Sequence, residues 1–241
     1  MTDETLHELP MRWADLDSLN HVNNVVYLDY AAESRALLVD DGLIGAEERP
    51  VRIGVDFLRP ILLSRRPVQV RSVRSGSELT QRIRPAGAEQ DFARVVTELA
   101  DRPAQLPARG PGAASPLLLR RSDLDATGSV RTDKMFELFQ ESRIPAIAAA
   151  LTSMSPGRFV AAHVEVEYGR PITWRREPFE SVNWVTRIGG SSVTIESQIA
   201  DGDEVVARCR TTLVGFDLEA QRSRRLSDDE KAELATLVPQ D

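Results

Sequence analysis

The sequence predicts an α+β chain in which one small domain is written twice. Three observations carry this. A polar segment rich in acids and amides, residues 12–24, runs straight into a helical pattern. Four stretches of strand-like alternation follow it, punctuated by glycine and proline. The whole arrangement then recurs: Asp123-Leu124-Asp125 repeats Asp15-Leu16-Asp17 at 108 positions on, as Arg120 repeats Arg12, Val130 repeats Val22, and Glu141-Ser142-Arg143 repeats Glu33-Ser34-Arg35. Residues 167–172 echo 56–61 at an offset of 111, and Gly190-Ser191 and Ala207-Arg208 echo Gly76-Ser77 and Ala93-Arg94 at 114. An offset that drifts only by loop-sized steps is that of a tandem duplication.

In order along the chain, residues 6–14 read as an entering strand and residues 15–23 as a polar turn. From Asn24 the apolar positions Val25, Val26, Leu28, Ala31, Ala32, Ala36, Leu37 and Leu38 keep a period of about 3.6. Asn23 or Asn24 suits the N-cap, since an amide oxygen accepts from a first-turn N–H, and Asp40-Asp41-Gly42 ends the helix. Residues 51–58, 67–74, 78–84 and 92–100 read as strands, with turns at Ser75-Gly76-Ser77 and Gly87. Residues 102–116 contain four prolines and two glycines and no hydrophobic period, so they are expected to be an exposed, irregular linker outside any ladder. The domains are thus expected at 1–101 and 117–241. Near the end, Ser227 and Glu230 have capping-box spacing and predict a short surface helix, available in principle to a partner.

Composition removes several function classes. The net charge of −7 gives no global field for nucleic acid. No apolar run approaches the ~20 residues of a membrane span, and the acidic, polar first ten residues are no signal peptide, so a cytoplasmic protein is expected. The single Cys209 lies in a strand-like run and reads as a buried small hydrophobe. His7, His21 and His163 lack zinc-ligand spacing, and no metal is expected. Phosphate-loop, dinucleotide and Gly-x-Ser-x-Gly motifs are missing.

What is left is a carboxylate, a histidine and backbone dipoles. Asp17 stands four residues before His21 and seven before Asn24. A helix starting near Asn23 offers free N–H groups to an oxyanion, while a carboxylate in the preceding loop attacks a carbonyl or activates water. The competing reading is that Asp17 caps its loop and His21 is a satisfied core residue.

The run Asp17-Ser-Leu-Asn-His21-Val22-Asn23-Asn24-Val-Val-Tyr27-Leu28 resembles the motif of the hotdog-fold acyl-CoA thioesterases, in the branch of the 4-hydroxybenzoyl-CoA and long-chain acyl-CoA enzymes. The resemblance implies a curved antiparallel sheet around a central helix in each half, and active sites between two hotdogs set side by side. It implies Asp17 as catalytic carboxylate, assisted by His21, with the backbone N–H near Asn24 polarising the thioester carbonyl. Asn23, Tyr27 and Arg59 are the candidate substrate contacts, Tyr27 through the acyl pocket and Arg59 through coenzyme A phosphates. Arg170 holds the corresponding place in the second copy, and Glu33 and Glu141 suit a structural role.

The second copy keeps Asp125 but puts Ser129 for the histidine and Arg131-Thr132 for the asparagine pair. Asp125 is a candidate second site. Residues 131–141 resemble the non-catalytic hotdog of double-hotdog acyl-ACP thioesterases. The expected function is hydrolysis of an acyl-CoA thioester, with acyl-ACP as the second substrate class. No cofactor is expected beyond the coenzyme A of the substrate, and a homodimer of such chains is compatible. A hotdog hydratase, usually with acid and histidine five apart around a proline, and a non-catalytic acyl-thioester-binding protein are the alternatives.

Overall fold

The computed structural model describes residues 4–17, 20–151, 158–217 and 219–239. The chain forms two compact units, Met1–Ala104 and Gln105–Asp241.

In the first unit β1 (Glu4–Leu9) leads through a 3-10 turn to α1 (Val26–Asp40), then β2 (Arg49–Phe57), β3 (Val68–Ser75), β4 (Glu78–Pro85) and β5 (Ala93–Ala100). All pairings are antiparallel, in the order β1-β3-β4-β5-β2. Strict alternation in β3–β5 sends Val68, Val70, Leu79, Ile83, Ala93, Val95 and Leu99 to one face. That face receives Tyr27, Leu28, Ala31 and Leu38 of α1, each burial contributing about 1.5–3 kcal/mol for the larger side chains. Gly76 closes the β3–β4 hairpin at φ +60°, where a Cβ would be strained.

The second unit repeats the plan: β6 (Ala114–Leu117), α2 (Lys134–Ala150), β7 (Phe159–Tyr168), β8 (Phe179–Ile188), β9 (Ser192–Asp201) and β10 (Glu204–Asp217), ordered β6-β8-β9-β10-β7. The short β11 (Arg222–Ser223) pairs with β10, and α3 (Asp228–Ala235) follows. Pro145 lies inside α2 on its exposed side, where the carbonyl of Glu141 that loses a donor is open to water. The capping box of α3 forms, with Ser227 Oγ accepting from the Glu230 N–H at 3.1 Å and Glu230 Oε2 accepting from the Ser227 N–H at 2.8 Å. This helix is more than surface dressing: Leu226 and Leu234 join Ile147, Leu151, Val185, Val193 and Ile195 in the core.

The repeated Glu-Ser-Arg motif has a structural cause in its serine. Ser34 meets Ser72 at 3.2 Å and His7 Nδ1 at 2.9 Å, and Gln81 reaches Ser72 and the Ala31 carbonyl. In the second unit Ser142, Asn183 and Ser197 form the matching polar seam between helix and sheet. Glu33 and Glu141 are exposed.

Two expectations need correction. Residues 114–116 do enter a ladder, as part of β6. Pro116 is tolerated because β6 is an edge strand paired only with β8, so its missing N–H breaks no inner bond. Residues 108–110, although irregular, are tied down by Gln198, which accepts from the Gly110 N–H at 2.6 Å and donates to the Ala108 carbonyl at 3.1 Å. Gly110 lies so close to the Trp184 ring that a Cβ would collide with it.

Candidate active site

The loop before α1 is closed by its own backbone. The Asp17 N–H donates to the His21 carbonyl at 2.8 Å, and the Asn20 N–H donates to the Asp17 carbonyl at 3.2 Å. Asp17 Oδ1 accepts from the His21 N–H at 3.0 Å. Asn20 sits at φ +58°, which asparagine tolerates better than most residues. Residues Ser18 and Leu19 lie outside the described residues.

Two anchors hold this loop. On one side Val22 donates to the Ile61 carbonyl at 2.8 Å, and His21 bridges to Leu62. On the other, the buried Asp15 accepts from the Arg12 N–H and from Tyr30 Oη, both at 2.7 Å. Burial and then the Asp15 carboxylate drive the Tyr30 phenol far above its ordinary pKa. The two acids of the Asp-x-Asp pair are therefore divided: Asp15 builds the fold, and Asp17, half-buried, belongs to the loop.

The helix entrance is set by Asn23, which lies two residues before the N-cap position, so neither Asn23 nor Asn24 is the cap that the sequence suggests. α1 starts at Val26 with Val25 in the N-cap position. Asn23 Oδ1 accepts from the Val25 N–H at 3.3 Å, and its carbonyl accepts from Val26 N–H at 2.9 Å. The Asn23 N–H is taken by the Asp15 carbonyl at 2.8 Å. Among the described residues the Asn24 N–H has no hydrogen-bond partner, nor has the His21 imidazole. The Asn24 N–H thus stands uncommitted at the positive end of a helix, next to a loop carrying a carboxylate and an imidazole.

Tyr27 is buried, at 2% exposure. Its hydroxyl donates to the Arg59 carbonyl at 3.2 Å and accepts from the Ile61 N–H at 2.9 Å, so it fastens the segment on which the loop rests. Burial pushes the phenol up to about 12, against the Ile61 hydrogen bond, and the negative charge of Asp17 adds to the rise. Arg59 is exposed and donates to the Asp91 carbonyl at 3.2 Å. Arg170, its counterpart, is spent on Asp201 and Glu204 at 2.6 and 2.9 Å.

The second copy reproduces the loop bond for bond. Asp125 N–H meets the Ser129 carbonyl at 2.8 Å, Gly128 N–H meets the Asp125 carbonyl at 3.1 Å, and Ser129 N–H meets Asp125 Oδ1 at 3.1 Å. Val130 donates to the Ile172 carbonyl at 2.7 Å. Gly128, at φ +82°, takes the place of Asn20. Partial burial pushes the Asp125 carboxyl up, but hydrogen bonds from the Thr127 hydroxyl and the Ser129, Thr127 and Gly128 N–H groups outweigh it and hold the group below its usual range.

The helix entrance is what differs. The N-cap position of α2 is Asp133, buried and paired with Arg131 through Nε at 3.2 Å and through its second nitrogen. Sequence reading passed over this pair; its signal was a charged Arg131-x-Asp133 where the first copy has the uncharged Asn23-x-Val25. Among the described residues no cluster of side chains suits a metal ion. Among the described residues no helix is long and apolar enough to cross a membrane.

Comparison with known proteins bears on the fold and on the family of each half. A thioesterase-like superfamily model matches residues 119–234, and the acyl-ACP thioesterase C-terminal domain matches residues 1–81. The acyl-ACP likeness therefore falls on the half that holds Asp17. A search of curated proteins finds no match. Among solved structures, an oleoyl thioesterase, so designated, from Lactobacillus plantarum superposes with a TM-score of 0.68 at 12% identity, covering 90% of this chain and 98% of its own. The 12:0-ACP thioesterase from Umbellularia californica gives 0.67 at 14%, covering 92% and 94%. An acyl-ACP thioesterase from Bacteroides thetaiotaomicron gives 0.61 at 10%, covering 87% and 97%. Those likenesses speak to the fold, and the family models to each half. The family models, one on each half, mark the chain as a thioester hydrolase, and the superpositions give it the tandem-hotdog fold.

Proposed function

We propose that the chain hydrolyses an acyl thioester at Asp17, in the first unit only. The carrying observation is the uncommitted Asn24 N–H at the start of α1, beside a loop that presents the Asp17 carboxylate. The thioester carbonyl oxygen would accept from this N–H, where the helix dipole favours the negative charge that develops on it. If Asp17 attacks the carbonyl carbon itself, the carbon–sulfur bond breaks to give an acyl–aspartyl anhydride and a thiolate that takes a proton from solvent, and water then hydrolyses the anhydride; alternatively Asp17 takes a proton from an attacking water. In the water route the carbon–sulfur bond then breaks, and the thiolate leaves with the proton that Asp17 holds. His21 shapes the site: its backbone fixes Asp17, and its imidazole remains available to substrate.

Asp133 supports confining the reaction to one half. The Asp133 side chain makes no cap hydrogen bond, but its carboxylate, paired with Arg131, occupies the positive end of α2 and competes there with an oxyanion for the helix dipole. The first copy has Val25 in this position. The substrate class is an acyl thioester of coenzyme A or of a carrier protein.

The test compares Asp17→Asn with Asp125→Asn in a thiol-release assay, with circular dichroism verifying the fold. Asp17→Asn should lose roughly 10²–10⁴-fold in kcat, and Asp125→Asn only a few-fold. His21→Ala should lose less than Asp17→Asn. A dead Asp125 variant beside an active Asp17 variant inverts the assignment, and full activity in both removes the carboxylate mechanism.

A further inference from the structure

Beside the loop that holds Asp17, the two copies differ in polarity. Residues 56–67 match 167–178 at the offset of 111, with Pro60 against Pro171 and Pro67 against Pro178. The backbone keeps the same register: His21 bridges Leu62 as Ser129 bridges Thr173. Trp13, Leu58, Leu62 and Leu63 therefore correspond to Arg121, Gly169, Thr173 and Trp174. In the second unit Arg121 lies over the Trp174 ring, 3.8 Å from its centroid, and shields the one large apolar side chain of the four. In the first unit the same positions stay open to water. Trp13 is 76% exposed and Leu62 59%, and Leu58 and Leu63 are exposed as well. The two segments that carry them run side by side, joined where Met11 Sδ accepts from the Ser64 N–H at 3.3 Å and where His21 meets Leu62.

The fold does not demand this apolar rim, since the second copy builds the same loops without it. Its four side chains offer on the order of 400 Å² of apolar surface, a patch of the size that marks an interaction site. That is about half of the ~800 Å² that each partner of a stable protein complex buries, so a second copy of the chain is a poor fit.

Charge narrows the choice. Residues 11–14 and 58–67 carry Arg12, Arg59, Arg65 and Arg66, all exposed, and no acid. Among the described residues none of these four has a carboxylate at ion-pair distance. The acids that border them are occupied on the sheet: Asp56 stands opposite Arg94, Asp91 pairs with Arg82 at 3.8 Å, and Glu8 takes Gln69 at 2.8 Å. Glu89 lies against Arg84, which donates to its carbonyl at 3.3 Å. The second copy is balanced at the same place. Glu177 stands where Arg66 is, Arg170 holds Asp201 and Glu204, and Arg175 holds Asp201 at 2.7 Å. One copy thus presents an indole and three leucines ringed by unpaired arginines, in a chain of net charge −7.

We propose that this rim docks the protein on an anionic lipid surface. Trp13 and the leucines enter the headgroup layer, and Arg12, Arg59, Arg65 and Arg66 meet the lipid phosphates, each contributing about 1 kcal/mol near such a surface. The contact is peripheral and needs no spanning segment. His21 ties the Asp17 loop to Leu62, so docking brings the candidate site to the lipid. Binding is read without turnover and therefore stands or falls apart from the Asp17 reading.

The experiment floats the full chain with vesicles of phosphatidylcholine alone and of phosphatidylcholine and phosphatidylglycerol in equal parts, and follows tryptophan emission. Trp174 lies under Arg121 and Trp184 against Gly110, so the exposed Trp13 is the ring whose surroundings a surface contact changes. The unaltered chain should bind the mixed vesicles at least about tenfold more tightly than the neutral ones, with emission moving to the blue, and added salt should release it. Trp13→Arg installs the second unit's own residue. It adds a positive charge, yet it should remove the spectral shift and weaken binding about tenfold or more, because the indole is lost. Leu62→Thr, again the second unit's residue, keeps the indole as reporter and should weaken binding about tenfold. Both positions are exposed, so thermal melts should match the parent, and Leu62→Thr decides the matter alone if Trp13→Arg fails to fold. Absence of binding to the mixed vesicles overturns the proposal. Equal binding to neutral vesicles overturns it by removing the arginines, and undiminished binding by the variants overturns it by removing the apolar rim. A dimer in sedimentation that Trp13→Arg dissolves, with no vesicle binding, assigns the rim to a second copy and overturns it as well.

Discussion

Replacing Tyr27 by Phe tests how the loop is held. The ring stays, with its edge contact to Phe57 at 5.5 Å, and only the hydroxyl goes. Two bonds are lost with unequal consequence. The Arg59 carbonyl lies on an exposed residue and can turn to water at little cost. The Ile61 N–H cannot, because Ile61 is fully buried. An unpaired buried donor costs about 1–3 kcal/mol. In a unit of this size each kilocalorie moves the melting temperature by about 4–8 °C, so a fall of roughly 10 °C is expected. Because Val22 rests on the Ile61 carbonyl, kcat/KM should fall as well, by about tenfold, the loss that follows when a positioning contact slips. Thermal melts of the variant and its thiol release decide the matter. A melting temperature for Tyr27→Phe within 2 °C or so of the parent would refute the reasoning.

Glu230 sets an acid limit for the C-terminal helix. Hydrogen bonds from Arg224 hold it down, against burial, at about 2 rather than 4.5, so its contribution is complete above pH 4.5 and is lost as pH falls towards 2. At 1.36 kcal/mol per unit this is at most about 3 kcal/mol. Urea unfolding between pH 7 and pH 3 should show the loss, and Glu230→Gln should flatten it. Arg143 is buried at 6% exposure and bonds Thr211 Oγ1 at 2.7 Å, while its Nε has no partner. Arg143→Met should be neutral or stabilising by about 0–2 kcal/mol, and a destabilised denaturant midpoint would show that the guanidinium is compensated after all.

Most of the fold was legible because its determinants are local. Alternation in residues 67–74 and 78–84 maps onto β3 and β4 within a residue or two, and the Ser227–Glu230 spacing gave the α3 cap. The duplication was legible because paired loops need the same turn chemistry at the same offset: Asn20 against Gly128 is an αL position filled twice. Legibility failed where partners are distant. Nothing local says that the hydroxyl of Tyr27 serves Ile61, that Gly110 must clear Trp184, or that proline at 116 falls on an edge.

The two loops also show how little an aspartate proves by itself. Asp17 and Asp125 each accept from the N–H four residues on, at 3.0 and 3.1 Å, and each closes the same backbone ring. A carboxylate at this place is explained by the turn, whether or not chemistry follows, which is why both copies hold one. The turn does not explain what comes next. After the first loop an amide pair leads into the helix and leaves the Asn24 N–H uncommitted. After the second, Arg131 pairs with Asp133, which puts a buried carboxylate at the helix end. The loop is therefore scaffold in both copies, and the entrance to the helix is the part that separates them. Transplanting the carboxylate of that entrance makes the argument testable apart from Asp17. Val25→Asp should depress kcat by about 10²-fold, comparable to the loss of one oxyanion donor, while Val25→Asn, close in size and uncharged, should retain most of it. Equal activity in the two would mean that charge at the helix end is irrelevant, and the choice between the halves would then have to rest on His21 and the asparagines alone.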